Sequence, residues 1–599
     1  MAKRRSRRSP AAIGAVRPAT PSPGLAIRAA ILIVAGVLAY ASALSGPFLF
    51  DDQTAIVDNA RIRSLSPTEA LAPPRDTPVA GRPLVNLSFA LNYAVGGLGV
   101  RGYRVVNLLI HLTAGVVLFG VLRQAFQLPV PARRYATDAT NLAFAAALLW
   151  VLHPLVSEVV NYVTERSESL MGLCYLLTVY CGCRALRARD ARWAVGAVVA
   201  CAAGMACKES MVTAPVVVVL LDRVLVFDSW RAAFAARRRL YIGLASTWSL
   251  LGALLLTAPR TSVGFTAGTS AWVYLLNQAQ IVTRYLQLAV WPRALVLDYG
   301  LPVPLTTGDV FLPGLFIVGL VVATIAALVY RPGIGMLGAL FFITLAPTSS
   351  IVPIATEVGA ERRMYLPLVP LVVLAVLGGH WLIGRLQATS ADRRSTSWLG
   401  AAALVALSGL MIAGLQQRNL EYASPLTMAR TIVERWPNGR AHFLLGSTLV
   451  QSGQADAGMA ELRASARDYP GALFAIGTEL LGAGKLDEGI DTLQQFVRAL
   501  PNHTTVFAAR EMMGRAYAGQ GNLPAAREQL EQVVQLAPRY PVGHDLLGRV
   551  LVGQGAFPEA VAQFQALLAL TPGDVQARRN LEAAQRLAAG QRPVPSAGP

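Results

Sequence analysis

Residues 25–44, LAIRAAILIVAGVLAYASAL, form a predominantly apolar run of 20 residues. A helix needs about 20 such residues to cross the ~30 Å hydrocarbon core of a bilayer, so this run predicts a membrane-spanning helix. The chain begins MAKRRSRR, and basic residues concentrate on the cytosolic side of membrane proteins. We therefore expect an uncleaved first span, preceded by a basic cytosolic tail over residues 1–24.

Ten further apolar runs predict more spans, which makes about eleven in a membrane domain over 25–416. They lie near 104–122, 139–155, 168–186, 193–207, 211–227, 240–258, 309–330, 334–350, 365–384 and 397–415. An amphipathic stretch at 270–292 is expected to lie on the membrane surface. An odd number of spans places everything after about residue 416 outside the cytosol, whereas ten or twelve spans would place it inside.

The net charge of +19 could suggest a nucleic-acid partner. Most arginines and lysines, however, occur in short clusters between the apolar runs, and with eleven spans every strong cluster falls in a cytosolic loop. Nucleic-acid binding would need a continuous basic face on a folded module, and the sequence contains none. The basic residues therefore indicate topology, and we expect no nucleic-acid partner.

The C-terminal part of the chain is periodic. Four glycines each have a second glycine seven residues later, a small residue twelve residues later and a proline twenty-four residues later; the first glycines are Gly446, Gly477, Gly514 and Gly548. Small residues allow two antiparallel helices to cross closely, the second glycine allows a turn, and proline ends the second helix. The pattern resembles the tetratricopeptide repeat and predicts an α-solenoid over 439–589 with a capping helix. A linker over 417–438 and a disordered tail over 590–599 would flank it.

Acidic residues directly follow the first span. Asp51 and Asp52 begin a long outer loop, predicted over 45–103. Two adjacent carboxylates at the water interface suit a general base, because nearby negative charge and partial burial raise one pKa toward neutrality. A solvated loop start or a helix cap explains the pair equally well. The pair could also bind a divalent cation, although two carboxylates without further ligands are weak evidence for a metal.

Further charged residues are predicted near the outer ends of later spans. If the segment at 153–168 is helical, Glu158, Tyr162 and Arg166 share one face, and His153 lies on a neighbouring stripe. Cations on the outer side are disfavoured, so several of them together favour function over snorkelling side chains. They suit a phosphate, which arginine binds bidentately. The predicted cationic site comprises Arg166, Lys208, Arg362 and Arg363, with Arg82 from the first loop.

Five stretches together resemble a known family. They are FLFDDQTAIVDN (48–59), RPLVNLSFALNY (82–93), HPLVSEVVNYVTERSESL (153–170), CKESMVTAPVVVVLLD (207–222) and AERRMYLP (360–367). With the downstream repeats, they resemble the GT-C superfamily of polyprenyl-phosphate-sugar-dependent glycosyltransferases. The chain is most similar to the transmembrane-and-TPR-containing O-mannosyltransferases and their bacterial relatives. The fold class implied is all-α: a polytopic GT-C-like helical bundle followed by a TPR solenoid.

The resemblance implies an inverting transfer of a sugar from a polyprenyl phosphate to an acceptor hydroxyl on the extracytoplasmic side. Asp51 would be the general base and Asp52 would orient either Asp51 or the acceptor, while Glu158 and His153 would line the same cavity. The cationic site would stabilise the departing phosphate. The repeats would bind a protein or peptide acceptor. The Ala/Arg-rich composition looks bacterial, so the expected location is a bacterial inner membrane, and mannose cannot be assumed.

Two other classes of function stay open. A non-catalytic membrane-anchored TPR scaffold for envelope or polysaccharide assembly would need no site at Asp51. A transporter of lipid-linked sugar would translocate its substrate without covalent transfer, and it does not explain an acidic pair outside the membrane. The sequence has no GxxxxGK[ST], GxGxxG or HExxH motif, so no ATP, NAD or zinc site is predicted.

Overall fold

The computed structural model describes residues 23–75, 77–188, 190–258, 264, 269–389 and 398–590. The predicted tails at 1–24 and 590–599 lie almost entirely outside these residues. The chain divides into two compact units, Met1–Trp436 and Pro437–Pro599. We call them the membrane unit and the repeat unit. Within the described residues the regular elements are helices, as the sequence predicts.

The helices of the membrane unit are labelled in chain order. They are α1 (Pro23–Tyr40), α2 (Pro67–Ala70), α3 (Pro83–Gly96), α4 (Val100–Ala125), α5 (Pro129–Tyr135), α6 (Ala139–Val151), α7 (Glu158–Asn161), α8 (Arg166–Ala188), α9 (Ala191–Met205), α10 (Ala214–Leu225), α11 (Trp230–Thr257), α12 (Ala271–Val290), α13 (Phe311–Tyr330), α14 (Pro332–Leu345), α15 (Leu368–Thr389), α16 (Leu399–Glu421) and α17 (Pro425–Arg435).

Seven helices in the described part of the chain are long and apolar enough to cross a membrane: α1, α4, α8, α11, α13, α15 and α16. The third predicted span is a pair of apolar segments bent by 58°, which raises the number to eight if the pair is one span. The spans predicted at 193–207, 211–227 and 334–350 correspond to α9, α10 and α14. These helices have only 12 to 15 residues, about 18–23 Å, and are shorter than the hydrocarbon core. The chain is a multi-pass membrane protein, and the number eleven stays a prediction.

Helix α4 is central to the membrane unit and packs against α1, α6 and α8. Its N-terminal half carries buried polar side chains that form hydrogen bonds with the backbone of neighbouring segments. Arg104 donates to the carbonyl of Pro47 (2.8 Å), and Asn107 donates to that of Val159 (3.2 Å). Helix α4 therefore fixes both the chain that follows α1 and the chain that follows α6. By contrast, none of the residues of α13 is buried, as expected for a helix that faces lipid.

Two segments outside the spans are also helical. The stretch at 270–292 contains α12, as predicted, and its position on the membrane surface stays a prediction. The predicted linker at 417–438 is instead largely helical, because α16 extends to Glu421 and α17 follows. Ser424 caps α17 by accepting from the Thr427 amide (3.0 Å), which explains why the helix restarts there.

The repeat unit consists of antiparallel helix pairs and a final helix. They are α18 (Gly439–Gln451), α19 (Ala455–Ala466), α20 (Ala472–Gly482), α21 (Leu486–Ala499), α22 (Val506–Gly519), α23 (Leu523–Leu536), α24 (Pro541–Gly553), α25 (Phe557–Leu570) and α26 (Val575–Ala588). The turn glycines Gly453, Gly484, Gly521 and Gly555 all have φ between 77° and 81°, where other residues are strained. The predicted role of the second glycine is therefore confirmed.

Gly446 provides a test of close helix crossing. A Cβ at this position would lie 2.8 Å from the backbone oxygen of Gly458 and 2.9 Å from the backbone nitrogen of Leu462. Because backbone cannot move aside cheaply, Gly446→Ala should lower the unfolding free energy of the repeat unit by about 1–3 kcal/mol. Chemical denaturation followed by circular dichroism measures this. Gly482→Ala is the control, since nothing lies within 4 Å of its added Cβ. Equal stability of the two variants would contradict the close crossing.

Candidate functional site

The acidic pair lies in a strained turn between α1 and the first loop. Phe50 has φ 36°, in the left-handed region that residues with side chains rarely adopt. A π-helical turn follows over Gln53–Val57, and such turns are frequent at functional sites. Asp51 is exposed, whereas Asp52 is fully buried. The backbone therefore separates two neighbouring carboxylates into different environments.

Asp52 joins the turn to the segment that precedes α8. Its carboxylate accepts hydrogen bonds from the Leu49 amide (3.0 Å), the Thr164 amide (2.8 Å) and the Thr164 hydroxyl (2.6 Å). Burial raises the pKa of Asp52 to about 6, although these donors act in the opposite direction. The amide of Asp51 donates to the Tyr162 hydroxyl (2.9 Å). Both aspartates are thus fixed to residues 162–164, and only Asp51 presents its side chain to the surface.

The raised pKa of Asp52 predicts how stability changes with pH. The folded protein keeps this proton up to about pH 6, whereas an unfolded chain loses it near pH 3.9. Rising pH therefore favours the unfolded state, and the stabilisation present below pH 4 is lost as pH passes through 6. Relative to Asp52→Asn, the wild-type unfolding free energy should fall by about 2 kcal/mol between pH 4 and pH 7. Denaturation in mild detergent across this range measures it, and parallel pH curves for the two proteins would contradict it.

The segment at 153–168 is not one helix. Two 3-10 turns, over 154–156 and 163–165, separate α7 from its neighbours, and Tyr162 has an extended backbone (φ −98°, ψ 108°). The predicted common face of Glu158, Tyr162 and Arg166 is therefore wrong. The break rotates the two charged side chains into different surroundings.

Arg362 is the centre of an ion-pair cluster. Its guanidinium contacts Glu158 through Nη1 (2.7 Å), Glu165 through Nε (3.1 Å) and Glu357 through Nη2 (2.7 Å). Its backbone amide also donates to Glu158 (2.9 Å). The Glu158 side chain is 1% exposed and that of Arg362 is 15% exposed. A short 3-10 turn over Glu361–Met364 thus holds an arginine against carboxylates from α7 and from the 3-10 turn that precedes α8.

Lys208 belongs to the same cluster through Glu165. Its ammonium lies 2.6 Å from the Glu168 carboxylate and 3.9 Å from that of Glu165, which also contacts Arg362. We call Glu158, Glu165, Glu168, Glu357, Lys208 and Arg362 the charged cluster. The predicted cationic site therefore needs correction, because Lys208 and Arg362 lie among four carboxylates. A buried cation without such partners would be strongly destabilised.

Arg166 does not join the charged cluster. Its fully buried guanidinium donates to Asn107 (2.7 Å) and to the carbonyl of Tyr103 (2.9 Å), and it lies 4.6 Å from the centre of the Phe89 ring. These contacts satisfy its donors inside the protein and connect α3 with α4. We therefore withdraw Arg166 from the predicted phosphate-binding set and assign it a structural role.

Arg363 and Arg82 are also held by protein groups. Arg363 donates to the carbonyl of Thr348 (3.0 Å) and pairs with Glu357 (3.0 Å) at the edge of the charged cluster. Arg82 pairs with Glu209 (3.3 Å), next to Lys208 in sequence. Both cations lie beside the cluster, and Arg363 is nearly fully enclosed, so its access to a ligand is small.

His153 has a structural position as well. One ring nitrogen accepts from the Leu155 amide (3.2 Å), and the other lies 3.1 Å from the carbonyl of Ala289 in α12. The ring is buried and both nitrogens have partners. His153 therefore connects the 154–156 turn to α12, and we do not place it among groups that touch substrate.

A second buried network of hydrogen bonds and an ion pair, centred on Glu361, was not predicted from the sequence. Glu361 accepts from the Val296 amide (2.5 Å) and the Tyr299 hydroxyl (3.1 Å), and it lies 3.4 Å from Arg418 of α16. Burial raises the pKa of Glu361 to about 7, and Arg418 acts against that rise. Because Glu361 precedes Arg362, this network fixes the turn that carries the central arginine. Arg418 is a cation at the outer end of a predicted span, and this position alone could have marked it.

The described residues contain no group of three or more His, Cys, Asp or Glu side chains arranged to hold a metal ion. Of the acidic pair, Asp52 already accepts three hydrogen bonds. We therefore derive no metal-dependent step from these residues.

Comparison with known proteins agrees with the predicted resemblance. Residues 76–259 match the family described as dolichyl-phosphate-mannose-protein mannosyltransferase, and residues 474–541 and 546–581 match the tetratricopeptide repeat. Protein O-mannosyl-transferase Tmtc2 of Drosophila melanogaster is 30% identical over 285 residues, which are 44% of this chain and 29% of that protein. Protein O-mannosyl-transferase TMTC4 of Mus musculus is 26% identical over 487 residues, 70% of this chain and 64% of that protein.

The chain resembles the protein O-mannosyl-transferases. In each of these two relatives the match covers less than two thirds of the relative's length. The mannosyltransferase match includes Glu158 and Lys208, whereas Asp51 and Arg362 lie outside it. The structure brings Arg362 into contact with Glu158 and so connects a residue outside the matched region to one within it.

Proposed function

We propose that the chain is a membrane glycosyltransferase that moves a sugar from a polyprenyl phosphate to a protein hydroxyl on the extracytoplasmic side. One observation carries the proposal: the segment from Glu158 to Glu168 supports both halves of the site. Tyr162 in this segment binds the backbone of Asp51, and its glutamates hold Arg362 and Lys208. An exposed carboxylate and a cluster that contains cations therefore share one scaffold.

In the proposed reaction, Asp51 accepts the proton of the acceptor hydroxyl while that oxygen bonds to the anomeric carbon. The bond between the anomeric carbon and the phosphate oxygen breaks, and the polyprenyl phosphate leaves with one additional negative charge. Arg362 and Lys208 stabilise this charge. Attack on the face opposite the phosphate inverts the configuration. The bond to phosphate supplies the driving force, so no nucleotide is required.

The carboxylates of the charged cluster hold the cations in place before the donor binds. Lys208 has three N–H donors and contacts two carboxylates, so a phosphate can add to it without displacing both. Glu158 orients Arg362 through the side chain and the backbone amide. Glu158 and Asp52 thus act as positioning residues in this proposal, and Asp51 is the group that touches substrate.

The repeat unit is proposed to bind the protein acceptor. A solenoid of helix pairs offers an extended surface for peptides, and the matched relatives are named as protein O-mannosyl-transferases. A scaffold protein would use the same surface without chemistry. Transfer of label to protein therefore distinguishes the two functions.

The experiment uses the full chain in lipid nanodiscs with radiolabelled polyprenyl-phosphate sugars and a mixture of secreted acceptor proteins. The expected result is label that becomes covalently attached to protein with at least one donor and is absent with Asp51→Asn. Absence of transfer with every donor would favour the scaffold. Movement of the labelled lipid across the bilayer without transfer would favour a transporter.

A further inference from the structure

The membrane unit contains a large apolar cavity that the proposed reaction does not use. Its volume is about 610 Å³, and it is bounded by α4, α5, α8, α10, α14 and α15. Branched aliphatic and aromatic side chains form most of the wall; examples are Leu122, Phe126, Val179, Val217, Leu340 and Val373. With a methylene at roughly 30 Å³, about the volume of a water molecule in the liquid, the cavity has space for about 20 methylenes. This is enough for an acyl chain.

One end of the cavity is polar and basic. Arg134 and Tyr135 from α5, Tyr330 at the end of α13 and Arg331 between α13 and α14 line that end. Both arginines are exposed, and within the described part of the chain neither guanidinium forms an ion pair. Tyrosine is enriched where membrane helices meet water, and arginine binds phosphate. The combination of an apolar wall and a basic rim complements a lipid with an anionic headgroup.

The basic end is far from the charged cluster. Glu168, in the first turn of α8, belongs to the charged cluster. Near the other end of the same helix, Arg187 donates a hydrogen bond to Gln127, which lies two residues before α5. Glu168 and Arg187 are 19 positions apart in the sequence, which corresponds to about 28 Å of helix and is close to the hydrocarbon thickness. A phosphate at Arg134 and Arg331 therefore belongs to a different lipid from a donor phosphate at Lys208 and to the opposite leaflet.

We propose that this cavity binds an anionic diacyl phospholipid, with one acyl chain between α4, α8, α10 and α14 and the phosphate at Arg134 and Arg331. The positive-inside pattern places both arginines in predicted cytosolic loops, where anionic headgroups attract basic residues. The lipid would fill space between α4 and α15 that the protein leaves open.

The test is native mass spectrometry of the delipidated full chain titrated with phosphatidylglycerol, phosphatidylcholine or glycerol phosphate. One phosphatidylglycerol should bind in preference to phosphatidylcholine, and glycerol phosphate should not bind at the same concentrations. Arg134→Gln should weaken phosphatidylglycerol binding about 5-fold, and the double variant with Arg331→Gln about 30-fold. Arg133→Gln, on the neighbouring exposed arginine outside the cavity wall, is the control and should bind like the wild type.

Three outcomes would overturn the inference. Equal retention of phosphatidylcholine and phosphatidylglycerol would show that the headgroup is not recognised. Equal effects of Arg133→Gln and Arg134→Gln would indicate general surface charge. One-for-one displacement of phosphatidylglycerol by polyprenyl phosphate would assign the cavity to the tail of a sugar donor. Because binding is measured without any sugar, these results are independent of whether transfer occurs.

Discussion

Asp51→Asn should lower the rate of sugar transfer by about 10²–10⁴-fold, the usual contribution of a general base. Asparagine has nearly the same size and cannot accept the proton of the acceptor hydroxyl. The Asp51 side chain is exposed, and its backbone amide, which binds Tyr162, is unchanged by the substitution. The protein should therefore fold normally and bind donor as before. Single-turnover transfer of radiolabelled sugar to protein measures the effect.

The first loop provides a matched control. Asp58 is also exposed, lies seven residues further along, and pairs with Gln53 at 2.9 Å. Asp58→Asn makes the same chemical change at a position outside the proposed site, so transfer should stay within about two-fold of the wild type. If Asp51→Asn and Asp58→Asn behave alike, the proposed base is wrong even if the chain transfers sugar.

The difference between Asp51 and Asp52 illustrates what the sequence could predict about the site. Two adjacent carboxylates after an apolar run mark a candidate site, because such groups are costly near the membrane. Which of them is buried depends on the strained backbone at Phe50 and on Thr164, 112 residues from Asp52. Contacts over such separations have no periodicity in the sequence, so the assignment needs the structure.

The structural position of Arg166, outside the charged cluster, could not be predicted from the sequence either. Glu158 and Arg166 have helical spacing, but the extended backbone at Tyr162 interrupts the helix. Tyrosine is not a helix breaker, so residue type gives no warning of the interruption. The repeat glycines were predictable for the opposite reason. Gly446 and the backbone it approaches at Gly458 are only twelve residues apart, and the arrangement recurs along the chain.

The stability of the charged cluster should depend strongly on Arg362. Arg362→Met removes the cation that contacts Glu158, Glu165 and Glu357 and leaves buried negative charge without compensation. Loss of one partner from a buried ion pair typically costs about 3–5 kcal/mol, and we expect that loss in the unfolding free energy of the membrane unit. Thermal or chemical unfolding in detergent measures it. Arg293→Met, on an exposed arginine of the same unit, should change stability by less than about 0.5 kcal/mol.

Two further variants of Arg362 separate stability from chemistry. Combining Arg362→Met with Glu158→Gln removes one of the uncompensated charges, so part of the lost stability should return. Arg362→Lys keeps the charge, but an ammonium cannot reproduce a planar guanidinium that contacts three carboxylates. If Arg362 also stabilises the leaving phosphate, Arg362→Lys should lower kcat by more than its effect on stability or on donor binding explains. A fall in stability with unchanged kcat would instead give Arg362 a purely structural role and leave Lys208 as the only cation of the cluster proposed to stabilise the phosphate.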